Sequence, residues 1–151
     1  MLKTENNNLY NVLFANNKLI RNSGEIEKNN SEELLTIQTL VLISPPVQEM
    51  EEYVQLEKML TACKLQKEQY QVETVIKPWS YYRNFGNIKE VLLFGIQEQE
   101  LGINVRLFDN QIHRFDDRTW IKSISIAQMA NNQQVKNNLW QNALKPHFVG
   151  Q

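Results

Sequence analysis

The sequence predicts an α/β fold, a three-layer α/β/α arrangement around a mainly parallel central sheet, preceded by a flexible amino-terminal arm. Three observations predict it. From Leu34 onward, short β-branched apolar runs alternate with amphipathic stretches, the pattern of parallel strands joined by helical crossovers. The 151 residues suit one core of ordinary size, and 42% of them are hydrophobic. Residues 1–31 are instead rich in asparagine and scattered charge, and bury too little to offset the entropy of ordering. The predicted boundaries are therefore an arm over 1–31 and one α/β domain over 32–151.

The arm contains one compact apolar group, LYNVLF. Leu9, Tyr10, Leu13 and Phe14 stand in i, i+3 and i+4 relations, so a short helix gathers them on one face. That face either packs back on its own domain or is captured by a partner. In the domain, LLTIQTLVLIS is β-branched and nearly continuous, as a strand covered on both faces should be, and SPP stops it. The next segment, VQEMEEYVQLEKMLTACKL, places Met50, Tyr53, Leu56, Met59, Leu60 and Cys63 at helical intervals and leaves Glu51, Glu52, Glu57 and Lys58 for water. QYQVETVIK alternates Tyr70, Val72, Thr74 and Ile76 as a second strand, completing a β-α-β unit.

WSYYRNFGN after Pro78 is a short helix or turn, VLLFGI a third strand, and QEQELGINV a loop broken by Gly102. NQIHRFDD and RTWIKSI form a further strand pair or one irregular strand, with the boundary near Asp116 and Asp117. The end of the chain holds one or two helices, with Ser125 capping the first and Asn132 the second. Val135, Leu139, Ala143 and Leu144, with Trp140 alongside, anchor the last helix on the sheet; Asn131, Asn132, Gln133, Asn137, Asn138 and Gln141 then face outward. Such amides supply donors and acceptors without the desolvation cost of a charge.

Charge and motif content narrow the chemistry. Sixteen Lys and Arg against 17 Asp and Glu give a net charge of −1, so long-range attraction to phosphate is absent and direct nucleic-acid binding is expected to be weak or indirect. A single cysteine, Cys63, excludes an internal disulfide and reads as a buried apolar residue in a reducing compartment. No apolar run approaches ~18 residues and the first residues do not resemble a signal peptide, so a cytoplasmic protein is expected. The first strand-to-helix junction, ISPPVQEM, has no glycine, which argues against a phosphate-cradling loop. His113 and His147 are far apart in sequence, and no metal-ligand spacing occurs. The neighbouring carboxylates Asp116/Asp117 and Glu51/Glu52 read as solvated. No cofactor and no catalysis are predicted.

KPWSYYRNF is the most unusual local composition, because cations alternate with rings. Lys77, Trp79, Tyr81, Tyr82 and Arg83 are candidates for contact with nucleic acid or a partner, since stacked bases favour such surfaces. The simpler reading makes Trp79, Tyr82 and Phe85, spaced by three, a cover for one side of the sheet.

The terminal stretch SISIAQMANNQQVKNNLWQ resembles the carboxy-terminal segment of the psi subunit family of bacterial DNA polymerase III. Ser125, Ala127, Asn132, Lys136, Leu139 and Trp140 carry the resemblance, and VLLFGI followed by ELGINV looks like the middle of the related uracil-DNA glycosylase-type fold. It covers about Val91 to Phe148, with a weaker parallel in the arm. The resemblance implies a non-enzymatic accessory subunit of the clamp loader, whose arm binds the collar of tau/gamma ATPase subunits and whose body binds a chi-like subunit. Leu9, Tyr10, Leu13, Phe14 and Ile20 would be the anchors. The arm lacks the tryptophan of the family peptide.

The competing expectation is a uracil-DNA glycosylase-like hydrolase. Those enzymes carry a water-activating Asp or Asn in a Gly-rich loop after the first core strand, and a later His/Ser-Pro loop near the flipped base. SPPVQEM lacks both the glycine and the acid at the expected place, and SISIAQM keeps a serine without the histidine or proline. A generic interaction domain outside replication is the third reading.

Overall fold

The computed structural model describes residues 33–150, so the arm and its proposed anchors Leu9, Tyr10, Leu13, Phe14 and Ile20 lie outside the described residues. Five strands make one sheet: β1 (Thr39–Ile43), β2 (Tyr70–Glu73), β3 (Glu90–Phe94), β4 (Ile112–Phe115) and β5 (Arg118–Ser123), in spatial order β2-β1-β3-β5-β4. The first four in that order run parallel, and β4 closes one edge antiparallel to β5. The fold is mixed α/β with a mostly parallel sheet, as the alternation of strand and helix patterns predicts.

Period-two alternation divides the buried side chains between two faces. Val41 and Ile43 of β1, Leu92 and Phe94 of β3, and Ile121 of β5 point to one face. There they meet Leu56, Leu60 and Cys63 of α1 (Glu49–Ala62) and Ile126 and Met129 of α2 (Ile126–Met129). Leu139 of α3 (Gln133–Leu139) completes the helical cover with Ala143 and Leu144, which belong to a wide-turned π-helical segment, Trp140–Val149. Each fully buried aliphatic or aromatic side chain contributes roughly 1.5–3 kcal/mol. Pro146 lies inside the π segment and has no N–H to give to a regular α-helical ladder.

The opposite face is built from Leu40 and Leu42, Val91 and Leu93, and Trp120. Its cover among the described residues is mostly coil. A single helical turn, Trp79–Tyr82, contributes its two terminal rings, and the chain around the 3-10 turn Glu98–Leu101 contributes Leu101 and Leu107. Trp79 and Trp120 meet edge to face with centroids 4.7 Å apart.

Several boundaries differ from the sequence expectation. The apolar run before β1 does not extend the strand: Leu34 and Ile37 turn down onto the coil-covered face, and their carbonyls accept from Asn87 Nδ2 at 2.7 and 2.6 Å. Strand β2 ends at Glu73, the last residue in register with β1, and Val75 stands exposed. Met50 was expected on the buried side of its helix, but it faces solvent. The Asp116–Asp117 boundary resolves into a two-residue hairpin, both residues having positive φ (54° and 62°), the backbone that matches the twist of paired strands. Both predicted caps are present: Ser125 Oγ accepts from Gln128 N at 3.2 Å, and Asn132 Oδ1 from Val135 N at 3.1 Å.

Candidate functional site

Open parallel sheets bind ligands beyond the carboxyl ends of their strands, where successive connections leave in opposite directions. Here that place lies between β1 and β3, because the chain passes from β1 to β2 on one side and then returns to β3 on the other. The strand ends are drawn tightly together. Gly95, at φ +76°, lets the backbone after β3 lie between Ser44 and Ser125; a Cβ on it would come within 2.7 Å of Ser44 Oγ and 2.9 Å of Ser125 Cβ. A larger residue there would be strained in backbone and crowded in space.

The polar groups at these strand ends are committed to the fold. In the loop after β1, the N–H groups of Val47 and Gln48 both donate to Glu52 Oε2 at 2.8 Å. Glu52, expected in water, is instead buried, so the position that an anion would take at the start of α1 is filled by the helix's own carboxylate. Ser123 Oγ donates to Asn110 Oδ1 at 2.7 Å, and Ser125 caps α2. Among the described residues no group of three or more His, Cys, Asp or Glu could hold a metal ion. Burial pushes the Cys63 thiol up to about 12, leaving it protonated and unreactive at neutral pH.

A cleft of ≈ 660 Å³ opens beside β5 and is lined by residues of the 97–109 segment and by Lys122. At its base Lys122 Nζ donates to Glu98 Oε1 at 2.8 Å and to Gln97 Oε1 at 3.1 Å. Glu98 Oε2 accepts from Leu107 N at 2.6 Å. Burial alone would raise the Glu98 carboxyl, but the Lys122 ammonium and the backbone donors outweigh it and hold the group below its usual range. The pair clasps the loop to the sheet.

The aromatic-basic stretch is drawn into a similar clasp. Trp79 and Tyr82 are buried, so neither ring is presented for stacking on bases; they cover the sheet, as their spacing suggested. Trp79 Nε1 donates to Asp116 Oδ2 at 2.7 Å, and Arg83 grips the same carboxylate through Nε at 2.9 Å. These contacts, Arg83 first and then Trp79, hold the Asp116 carboxyl below its usual range. Tyr82 Oη donates to Glu73 Oε1 at 3.3 Å, and burial raises its phenol well above its ordinary value. Lys77 lies 4.7 Å from the centroid of the half-buried Tyr81 ring. Of the five candidates, Lys77, Tyr81 and Arg83 retain access to solvent.

The surface missed by sequence reasoning is the outer side of α1. Met50 and Val54, 81% and 46% exposed, stand at i and i+4 on α1, and Val47, 82% exposed, lies in the bend two residues before the helix. The signal was present in that spacing, which is opposite to Leu56 and Leu60. The amide face predicted for the last helices is exposed at all six positions, 131–133, 137, 138 and 141. Three of its amides serve the helix itself: Asn132 caps it, and Gln133 Nε2 donates to Asn137 Oδ1 at 3.1 Å.

No protein-family model, curated protein or solved structure matches the chain. Among the described residues, no helix is long and apolar enough to cross a membrane.

Proposed function

We propose that the chain is a non-catalytic adaptor of the bacterial replicative clamp loader, a psi-like accessory subunit. The observation that carries the adaptor reading is the exposed apolar patch of Met50 and Val54 on α1, with Val47 in the bend just before the helix, and nothing of the described chain over it. The self-capped strand ends support it, because Glu52, Ser123 and Ser125 are occupied in holding the fold. The resemblance of the 125–140 segment supplies the identity of the assembly. On this reading the arm engages the tau/gamma ATPase subunits through Leu9, Tyr10, Leu13, Phe14 and Ile20, and the body carries a chi-like subunit. The coil layer over Trp120, with its one helical turn, would be the reduced third layer of a uracil-DNA glycosylase-like sandwich.

The test is binding of the full chain and of a 32–151 fragment to purified clamp-loader ATPase subunits. Deletion is expected to weaken binding by more than about tenfold, because a few apolar anchors dominate such contacts. Unchanged affinity would overturn the arm's role. Excision of uracil from a deoxyuridine-containing single strand would overturn the adaptor reading in favour of the hydrolase.

A further inference from the structure

A second, smaller depression lies away from the α1 patch, where α1, α2 and α3 converge on the π segment. It encloses ≈ 290 Å³ and is floored by Met59, Met129, Leu139 and Leu144, with Lys58 and Lys136 on its rim. The floor is apolar and rich in thioether, a lining that adapts to side chains of different shape. Neither rim ammonium is in an ion pair among the described residues. Glu57, the carboxylate next to Lys58 in sequence, is turned to Lys67 at 3.1 Å, and Glu51 lies two turns earlier and borders a different hollow.

Gln55 borders the depression as well, and its Nε2 is buried without a hydrogen-bond partner. A buried donor left unmade costs roughly 1–3 kcal/mol. Among the described residues, then, neither rim ammonium has an anion and the Gln55 amide has no acceptor.

We infer that this depression is a docking site for an acidic peptide segment that inserts one bulky apolar side chain among Met59, Met129, Leu139 and Leu144, while its carboxylates meet Lys58 and Lys136. Charge complementarity selects the occupant: a basic segment would be repelled by the rim, and an uncharged apolar segment would leave both rim ammonium groups without an anion. The site is separate from the α1 patch and stands or falls independently of the proposed clamp-loader role.

The four methionines provide the measurement, since Met59 and Met129 lie in the floor, Met50 is on the exposed side of the same helix and Met1 is in the arm. The full chain, labelled with 13C at the methionine methyls, is titrated with a short peptide of aspartate and glutamate carrying one phenylalanine. The Met59 and Met129 signals are expected to move while that of Met50 does not, and a peptide with alanine in place of the phenylalanine should bind about tenfold more weakly. The surface variant Lys58→Glu/Lys136→Glu, which leaves the floor intact, should also lose about tenfold in affinity. No methyl shift up to about 1 mM peptide, a shift at Met50 alone, or binding indifferent to the charge reversal would each overturn the site. So would displacement of the acidic peptide by a basic one or by a thymidine oligonucleotide.

Discussion

The two faces of the sheet are covered in different ways, and the difference lies in where backbone polar groups find partners. On the helical face, α1 and the carboxy-terminal helices satisfy their own ladders, so apolar contact suffices to hold them. Among the described residues the coil face has only the short turns 79–82 and 98–101, and side chains do the rest. Arg118 donates to four backbone carbonyls, those of Ile88, Asp116, Arg83 and Phe85, each at 3.1 Å. Asn87 serves two more, and Glu98 and His113 accept from the N–H groups of Leu107 and Phe108. A coil layer over a sheet is thus a polar construction on an apolar floor.

The largest expected effect tests this contrast directly. Arg118→Met keeps much of the side-chain volume but strands four backbone carbonyls, while Arg83 and Trp79 still hold Asp116, and should cost roughly 3–5 kcal/mol in urea unfolding. Leu56→Ala on the helical face should cost a comparable 2–5 kcal/mol, roughly, through its cavity alone. A loss below about 1 kcal/mol for Arg118→Met would end the comparison.

The Lys122–Glu98 clasp gives a smaller effect with a sharper signature. Lys122→Met leaves a buried carboxylate with only backbone donors and should cost roughly 3 kcal/mol, whereas adding Glu98→Gln should recover part of that loss in a double-mutant cycle.

Acid dependence separates the faces further. Asp116 and Glu98, both on the coil side, have folded-state pKa values below their ordinary ones. Their contribution is complete above the unfolded values, about 3.9 and 4.3, and is lost as pH falls through the depressed folded values. Asp116→Asn should therefore lower stability at pH 7 and flatten the decline below about pH 4. An unchanged acid limb in thermal melts would count against the clasp. At the small end, Ser125→Ala and Asn132→Ala should each cost about 1 kcal/mol on the helical side.

The same contrast explains what was legible in the sequence. Helix α1, the three parallel core strands and both caps follow from short-range pattern, since periodicity and capping chemistry are local. The coil layer depends on pairs distant in sequence, such as Asn87 with Leu34, Trp79 with Asp116 and Lys122 with Glu98, which no local pattern reveals. Leu34 and Ile37 therefore looked like strand, although Leu34 is helical and the bonds to Asn87 bracket the turn at 35–36 between them. Of the candidate site, the burial of Trp79 and Tyr82 was visible in their spacing of three, whereas Met50 was assigned to the core although its i+4 relation to Val54 sets it off the side of Leu56 and Leu60.

The Asp116–Asp117 turn carries a consequence for motion. One residue both supplies the left-handed backbone of the β4–β5 hairpin and anchors Trp79 and Arg83, so the hairpin tip cannot change conformation while that grip holds. Amide exchange at the tip and in the Trp79–Tyr82 turn should then share one opening free energy, with the two segments breathing as one cooperative unit.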